Sequence, residues 1–143
     1  MGFALPAAIG AKFGVPQRTV VAIIGDGGVQ MTIQELGTIM QREVNVKILI
    51  LNNRFLGMVR QWQELFHDRR YSFVDIESPD YVQVAKGYRI EGQSISERDE
   101  LKGALKKMLD HNGPYLLEVM VGKENNVFPM VAAGTSVSEI RLK

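Results

Sequence analysis

Two short apolar runs rich in β-branched residues, TVVAIIG (19–25) and VKILIL (46–51), constrain this chain more than any other feature. Strict alternation of apolar and polar residues suits a strand with one wet face. A near-continuous apolar run suits a strand buried on both faces, as in parallel sheets. Between the runs, Leu36, Ile39 and Met40 recur at helical spacing, behind a Thr32–Glu35 pair with the spacing of a capping box. Strand, helix and strand within the 33 residues from 19 to 51 make a βαβ unit. Such crossovers are parallel and almost always right-handed.

The alternation continues. Residues 55–66 carry a helical pattern, and Ser78 ahead of Pro79 and Asp80 marks another helix start, with Tyr81, Val84 and Ala85 facing inward. Ser96 and Asp99 give a capping pattern for a helix with Leu101, Leu105, Met108 and Leu109 on one side. Asn112-Gly113-Pro114 stops it before a last strand, YLLEVMV (115–121). At the other end Pro6 reads as a first helical residue, with Ala7, Ala8 and Ala11 as close-packing positions behind it. The expected fold is α/β, a three-layer sandwich with a parallel sheet between helices. Residues 1–124 form the domain and 125–143, without a clear element, an arm.

With 143 residues, 45% of them hydrophobic, the chain has enough material for one real core. Its 17 basic and 16 acidic residues nearly cancel, so no field exists to draw nucleic acid or an anionic membrane surface. The opening MGFALPAAIGAKFGV lacks a basic n-region, and Pro6 and Lys12 break it well short of a membrane span. It starts in mid-architecture, as a fragment of something longer would. The absence of cysteine excludes disulfides and thiolate metal sites and fits a reducing, cytoplasmic setting. His67 and His111 fall near helix ends, where a cation suits the dipole, and no Ser/His/Asp grouping supports hydrolysis.

Ligands of open parallel sheets bind outside the carboxyl ends of the strands. One strand here runs into Gly25-Asp26-Gly27-Gly28 and the next into Asn52-Asn53. Magnesium takes oxygen ligands and keeps waters while binding a substrate phosphate. A carboxylate, an amide oxygen and a backbone carbonyl would serve it. Gly27 and Gly28 would let backbone N–H groups approach phosphate oxygens at a helix start. Each motif alone also reads as plain punctuation, since Asp-Gly forms turns and Asn-Asn ends strands. A dinucleotide fingerprint fails, because residue 30 is Gln where the third glycine would fall and the second strand ends in Asn. A Walker loop fails for want of Gly-Lys-Ser/Thr.

GDG followed after 24 residues (28–51) by NN resembles the signature of thiamine diphosphate enzymes, in their C-terminal, diphosphate-binding domain. Within them, MGFALPAAIGAK, GDGGVQMT, LNNRFLGMVRQWQELF and NVFPMVAAGTSVSEI resemble, in order, stretches of the acetolactate (acetohydroxyacid) synthase family, catalytic subunit. The resemblance implies Asp26, Asn53 and the Phe55 carbonyl as magnesium ligands. It implies cofactor contacts at Met1, Gly25, Asp26, Gly27, Gly28, Asn53, Phe55, Gly57 and Met58. Met1 would prop the cofactor's bent conformation, and Met58 and Trp62 would line the substrate channel. Phe128-Pro129-Met130 would belong to an arm folding over the site.

The implied reaction decarboxylates pyruvate and condenses the two-carbon unit with pyruvate or 2-oxobutyrate, in branched-chain amino acid synthesis. No catalytic residue is expected in this chain: the activating glutamate lies in an N-terminal domain of a partner subunit, and FAD binds a central domain, both outside it. The resemblance further implies a homodimer or tetramer of the longer chain, with room for a separate regulatory subunit. The isolated domain should be inactive. Alternatives are another thiamine diphosphate-dependent 2-keto-acid decarboxylase or carboligase, or a cofactor-free structural domain of the same fold.

Overall fold

A computed structural model describes residues 1–123 and 125–142. The expected boundary at residue 124 falls on a residue outside that set. Four strands, β1 (Val21–Gly25), β2 (Lys47–Asn52), β3 (Glu91–Ile95) and β4 (Tyr115–Met120), pair in parallel in the order β1-β2-β4-β3. Around them lie α1 (Ala4–Gly14), α2 (Asp26–Gln30), α3 (Glu35–Arg42), α4 (Gly57–Phe66), α5 (Tyr81–Gly87) and α6 (Leu101–Asp110).

The sheet separates two cores. On one face Ile24, Ile48, Ile50 and Leu116 meet Leu5 and Ile9 of α1, Val29 of α2, Leu36 and Ile39 of α3, and Tyr81 and Ala85 of α5. On the other, Tyr115 and Leu117 meet Ala104 and Met108 of α6, with Ile95 of β3. Consecutive residues of β4 thus serve opposite cores, as the period-2 geometry of a strand requires. The α/β sandwich expected from the sequence is the observed fold.

The second face is only partly covered, and this corrects one expectation. β1 alternates between exposed and buried residues, with Ile23 62% exposed, so it is not buried on both faces. It sits at the sheet edge, beyond α6, whose contacts are with β3 and β4. An apolar run can mark strand character without saying how many faces are covered.

Helix starts are shifted from the pattern. α1 begins at Ala4, ahead of Pro6. Thr32 does not cap α3 through its side chain; its hydroxyl donates to the Gly2 carbonyl (3.1 Å), while its own carbonyl accepts from Glu35 N–H. α5 is capped by Asp80, whose carboxylate accepts from Gln83 N–H (2.9 Å), not by Ser78. The capping box before α6 is Glu97 with Glu100, on a short 3-10 turn, not Ser96 with Asp99. Leu101 and Leu109 are exposed, and Ala104 takes a buried place the pattern did not assign. His67 and His111 directly follow α4 and α6.

Two elements were not expected. β3, EGQSI, pairs with β4 along its whole length. A Cβ on its Gly92 would lie 2.7 Å from the Leu116 carbonyl oxygen, a backbone atom that cannot step aside. In the arm, β5 (Met130–Val131) and β6 (Ile140–Arg141) form a small antiparallel pair.

The lower edge of the sheet is tied by Lys47, 3% exposed at the start of β2. Its ammonium donates to Asn45 Oδ1 (2.9 Å), to the His111 carbonyl (2.7 Å) and to the Gly113 carbonyl, fixing the turn that feeds β4. Burial pushes its pKa below the ordinary lysine value, with Lys12 adding to the shift. Lys47→Met removes all three donors from a buried place. It is expected to destabilise the domain by about 2–4 kcal/mol, read by urea unfolding.

Candidate functional site

The carboxyl ends of β1, β2 and β4 open on a cleft of about 620 Å³. β1 delivers Gly25 to its wall and passes directly into α2, so Asp26, Gly27 and Gly28 occupy a helical first turn. β2 delivers Asn53, and the turn beyond it brings Phe55, Gly57 and Met58 to the same cleft. Met1 joins from the chain start, and Val121 and Gly122 from the end of β4. Two motifs some 25 residues apart in sequence thus share one cavity, because parallel pairing sets Gly25 beside Leu51.

The oxygen chemistry is specific. Asp26 is 1% exposed, and its Oδ2 accepts from the Ser78 hydroxyl (3.1 Å). Among the described residues its Oδ1 takes no hydrogen bond and the carboxylate has no ion pair. Asn53 Oδ1 accepts from Phe55 N–H (3.0 Å), which leaves its second lone pair. The stretch after it is pinned by Leu56 N–H to the Val74 carbonyl (2.8 Å) and Ile76 N–H to the Arg54 carbonyl (3.0 Å), around a Phe55–Asp75 bridge. The Phe55 carbonyl itself accepts nothing from the described residues. A carboxylate, an amide oxygen and a carbonyl, each with capacity to spare, are the donor set of a hard divalent cation. Among the described residues no group of three or more His, Cys, Asp or Glu is placed to hold a metal ion by itself.

The glycines have packing reasons as well. A Cβ at Gly27 would lie 2.7 Å from Leu56 Cδ2, and one at Gly28 would lie 3.2 Å from Ile24 Cγ1. Smallness at these two positions therefore closes α2 onto β1 and onto the loop before α4. Tyr81 supports the turn from below. Its hydroxyl donates to the Asp26 carbonyl (2.9 Å), and burial raises the phenol's pKa, so it stays a donor.

Met58 and Trp62 stand one turn apart on α4, with different surroundings. Met58 lines the cleft. Trp62 does not; its ring packs on Phe66, centroids 4.8 Å apart. Between them Gln61, 1% exposed, grips the arm: its Oε1 accepts from Val127 N–H (2.7 Å) and its Nε2 donates to the Val127 carbonyl (3.0 Å). Val127 and Asn125 thereby reach the cleft wall. Phe128, Pro129 and Met130 continue from there, and Met130 Sδ also faces Gln61 Nε2.

Sequence reasoning gave no part in the site to Ser78, which it read as a helix start, or to Gln61 or Glu118. Glu118 is 7% exposed and accepts from Asn52 Nδ2 at 2.7 Å. The available signal was a lone acid inside the apolar strand YLLEVMV, since a charge at such a place demands a partner.

Residues 1–119 match the family described as thiamine pyrophosphate enzyme, C-terminal TPP binding domain. The chain is 47% identical over 141 residues to the acetolactate synthase isozyme 2 large subunit of Escherichia coli, covering 98% of this chain and 26% of that protein. It is 44% identical over 139 residues to the mitochondrial acetolactate synthase catalytic subunit of Saccharomyces cerevisiae, covering 97% and 20%. Among solved structures, the thiamine diphosphate-dependent 4-hydroxybenzoylformate decarboxylase of Rhodococcus jostii RHA1 superposes with a TM-score of 0.81 at 32% identity, covering 87% of this chain and 24% of that one. The chain thus spans about a quarter of the length of the relatives it matches. With its parallel sheet, its GDG and NN strand ends on one cleft and this family match, the chain belongs to the thiamine pyrophosphate enzymes, as a C-terminal TPP-binding domain.

Proposed function

We propose that this domain serves an acetolactate synthase, holding the diphosphate end of thiamine diphosphate through a magnesium ion. The observation that carries the reading is the convergence of Asp26, Asn53 and Phe55, with unclaimed oxygens, on the cleft that Gly25, Gly27, Gly28, Gly57, Met1 and Met58 also line. Asp26, Asn53 and the Phe55 carbonyl would hold the ion. Gly27 and Gly28 would offer N–H groups to the diphosphate, and Met1 and Met58 apolar walls to the rest. Bound thiamine diphosphate supplies the carbon nucleophile and electron sink that 2-keto-acid decarboxylation needs. The chain's own residues bind, orient and exclude water; the group that activates the cofactor is assigned to a domain outside them.

The choice of reaction rests on the acetolactate synthase relatives, 40–47% identical along nearly the whole chain. Pyruvate, with pyruvate or 2-oxobutyrate as acceptor, is the proposed substrate pair, and Trp62 would border their channel. The arm that begins at residue 125 would close one wall, through Asn125 and Val127. A homo-oligomer of the longer chain, FAD in another domain and a separate regulatory subunit complete the proposal. Among the described residues no helix is long and apolar enough to cross a membrane. The proposed setting is the cytoplasm, although relatives include mitochondrial enzymes. The decarboxylase neighbour favours a second reading, decarboxylation without condensation.

Incubating the intact protein with thiamine diphosphate, magnesium and pyruvate, alone and with 2-oxobutyrate, decides between them. Acetohydroxy acids are the expected products. Aldehyde as the only product would support the second reading. Failure to bind the cofactor at all would return the chain to a structural role.

A further inference from the structure

Two buried carboxylates, Asp26 and Glu118, lie at the same sheet edge without an ion pair among the described residues. Ser78 and Asn52 connect them. Asn52, 2% exposed at the end of β2, donates from Nδ2 to Glu118 Oε1 (2.7 Å) on the neighbouring strand β4. That bond fixes the amide's sense, so Asn52 Oδ1 turns to the Arg54 N–H (3.1 Å) and closes the turn in which Asn53 sits. Ser78, in the segment before α5, has its hydroxyl 3.1 Å from Asp26 Oδ2 and 3.5 Å from Asn52 Oδ1. A hydroxyl has one proton, and the shorter contact to the charged oxygen takes it.

We propose that Ser78 and the Glu118–Asn52 pair are positioning residues for the cation site: Ser78 holds one oxygen of Asp26 and so fixes how the other is presented, while Glu118, through Asn52, sets the turn that presents Asn53 and Phe55. The proposal rests on the reading of Asp26 as a metal ligand and adds three residues that touch no ligand themselves. Outer partners of this kind orient ligands and hold them before the ion arrives. Glu118 has a second effect. A buried, unpaired carboxylate destabilises the empty domain and is relieved by a cation nearby. Its neutralisation should therefore move stability and metal affinity in opposite directions, which a simple packing role does not do.

The test is calorimetric titration of Mg²⁺ into the intact protein at saturating thiamine diphosphate, with thermal unfolding of the metal-free protein alongside. Ser78→Ala is expected to weaken Mg²⁺ binding by roughly 10–100-fold, whereas Glu118→Gln, which keeps an acceptor for Asn52 Nδ2 but loses the charge, should weaken it by more than twofold and less than about tenfold. Metal-free Tm should fall by about a few degrees in Ser78→Ala, which takes a donor from a buried carboxylate, and stay unchanged or rise in Glu118→Gln. Ser78→Thr, which keeps the hydroxyl, should restore affinity, and excess Mg²⁺ should restore turnover in both variants. Affinity within twofold of wild type in both, while Asp26→Ala loses binding, would overturn the positioning role and leave the cofactor reading intact. Lowered metal-free Tm with unchanged affinity would also overturn it, in favour of packing. Unaltered Mg²⁺ binding in Asp26→Ala would remove the reading beneath it as well.

Discussion

Asp26→Ala is expected to abolish magnesium-dependent binding of thiamine diphosphate while leaving the fold in place. The side chain is buried at the first turn of α2, accepts a hydrogen bond from Ser78 and makes no ion pair among the described residues. Removing an unpaired buried carboxylate costs the empty domain little and relieves an uncompensated charge. The bound state would lose the one charged ligand proposed from this chain. Loss of an outer partner of a metal ligand costs roughly 10–100-fold in affinity, so loss of the ligand itself should exceed about 100-fold. Asp26→Asn separates charge from shape, since the amide keeps the oxygen and the volume. It should recover only part of the affinity, because a hard divalent ion gains most from the anionic oxygen. Calorimetry with thiamine diphosphate, with and without Mg²⁺, reads both variants. Wild-type affinity in Asp26→Ala would sink the assignment of the cleft.

The parts of this architecture legible in the sequence are those written locally. TVVAIIG and VKILIL announce strands by composition, the Leu36/Ile39 spacing announces the helix between them, and the unit then dictates parallel pairing. GDG and NN are legible as a pair because parallel strands bring their carboxyl ends to one edge, where the structure finds both on a single cleft. What escaped depends on tertiary context. EGQSI has one buried residue, Ile95, and a glycine required only by the nearness of the Leu116 carbonyl, so neither periodicity nor propensity marks it. Caps slipped by one or two residues wherever Ser, Asp and Glu stand close together, because each can cap and packing selects among them. Ser78 is the clearest case. It reads as a helix cap in sequence, but the fold carries it to a carboxylate 52 positions away.

Leu116→Ala and Leu117→Ala are each expected to destabilise the domain by roughly 3–5 kcal/mol, although the two residues are neighbours in sequence. Both are essentially without exposure, on the central strand β4 between β2 and β3. Leu116 packs into the core beneath α1, α3 and α5, and Leu117 into the core beneath α6. Truncating either leaves a cavity in close-packed surroundings that strand pairing on both sides prevents from collapsing. For a chain of this size each loss corresponds to a fall in Tm of roughly 10–17 °C. The sheet lies between the two cavities and they share no apolar partner, so both losses should appear in the double variant, coupled only through the backbone the neighbours share. A two-layer arrangement, with helices on one face only, predicts otherwise: one truncation would then fall on an uncovered face and cost less than about 1 kcal/mol. Urea unfolding of the two single variants and the double therefore measures the third layer directly. A combined loss of roughly 6–10 kcal/mol approaches the whole stability of an ordinary domain, so the double variant should be substantially unfolded at 37 °C.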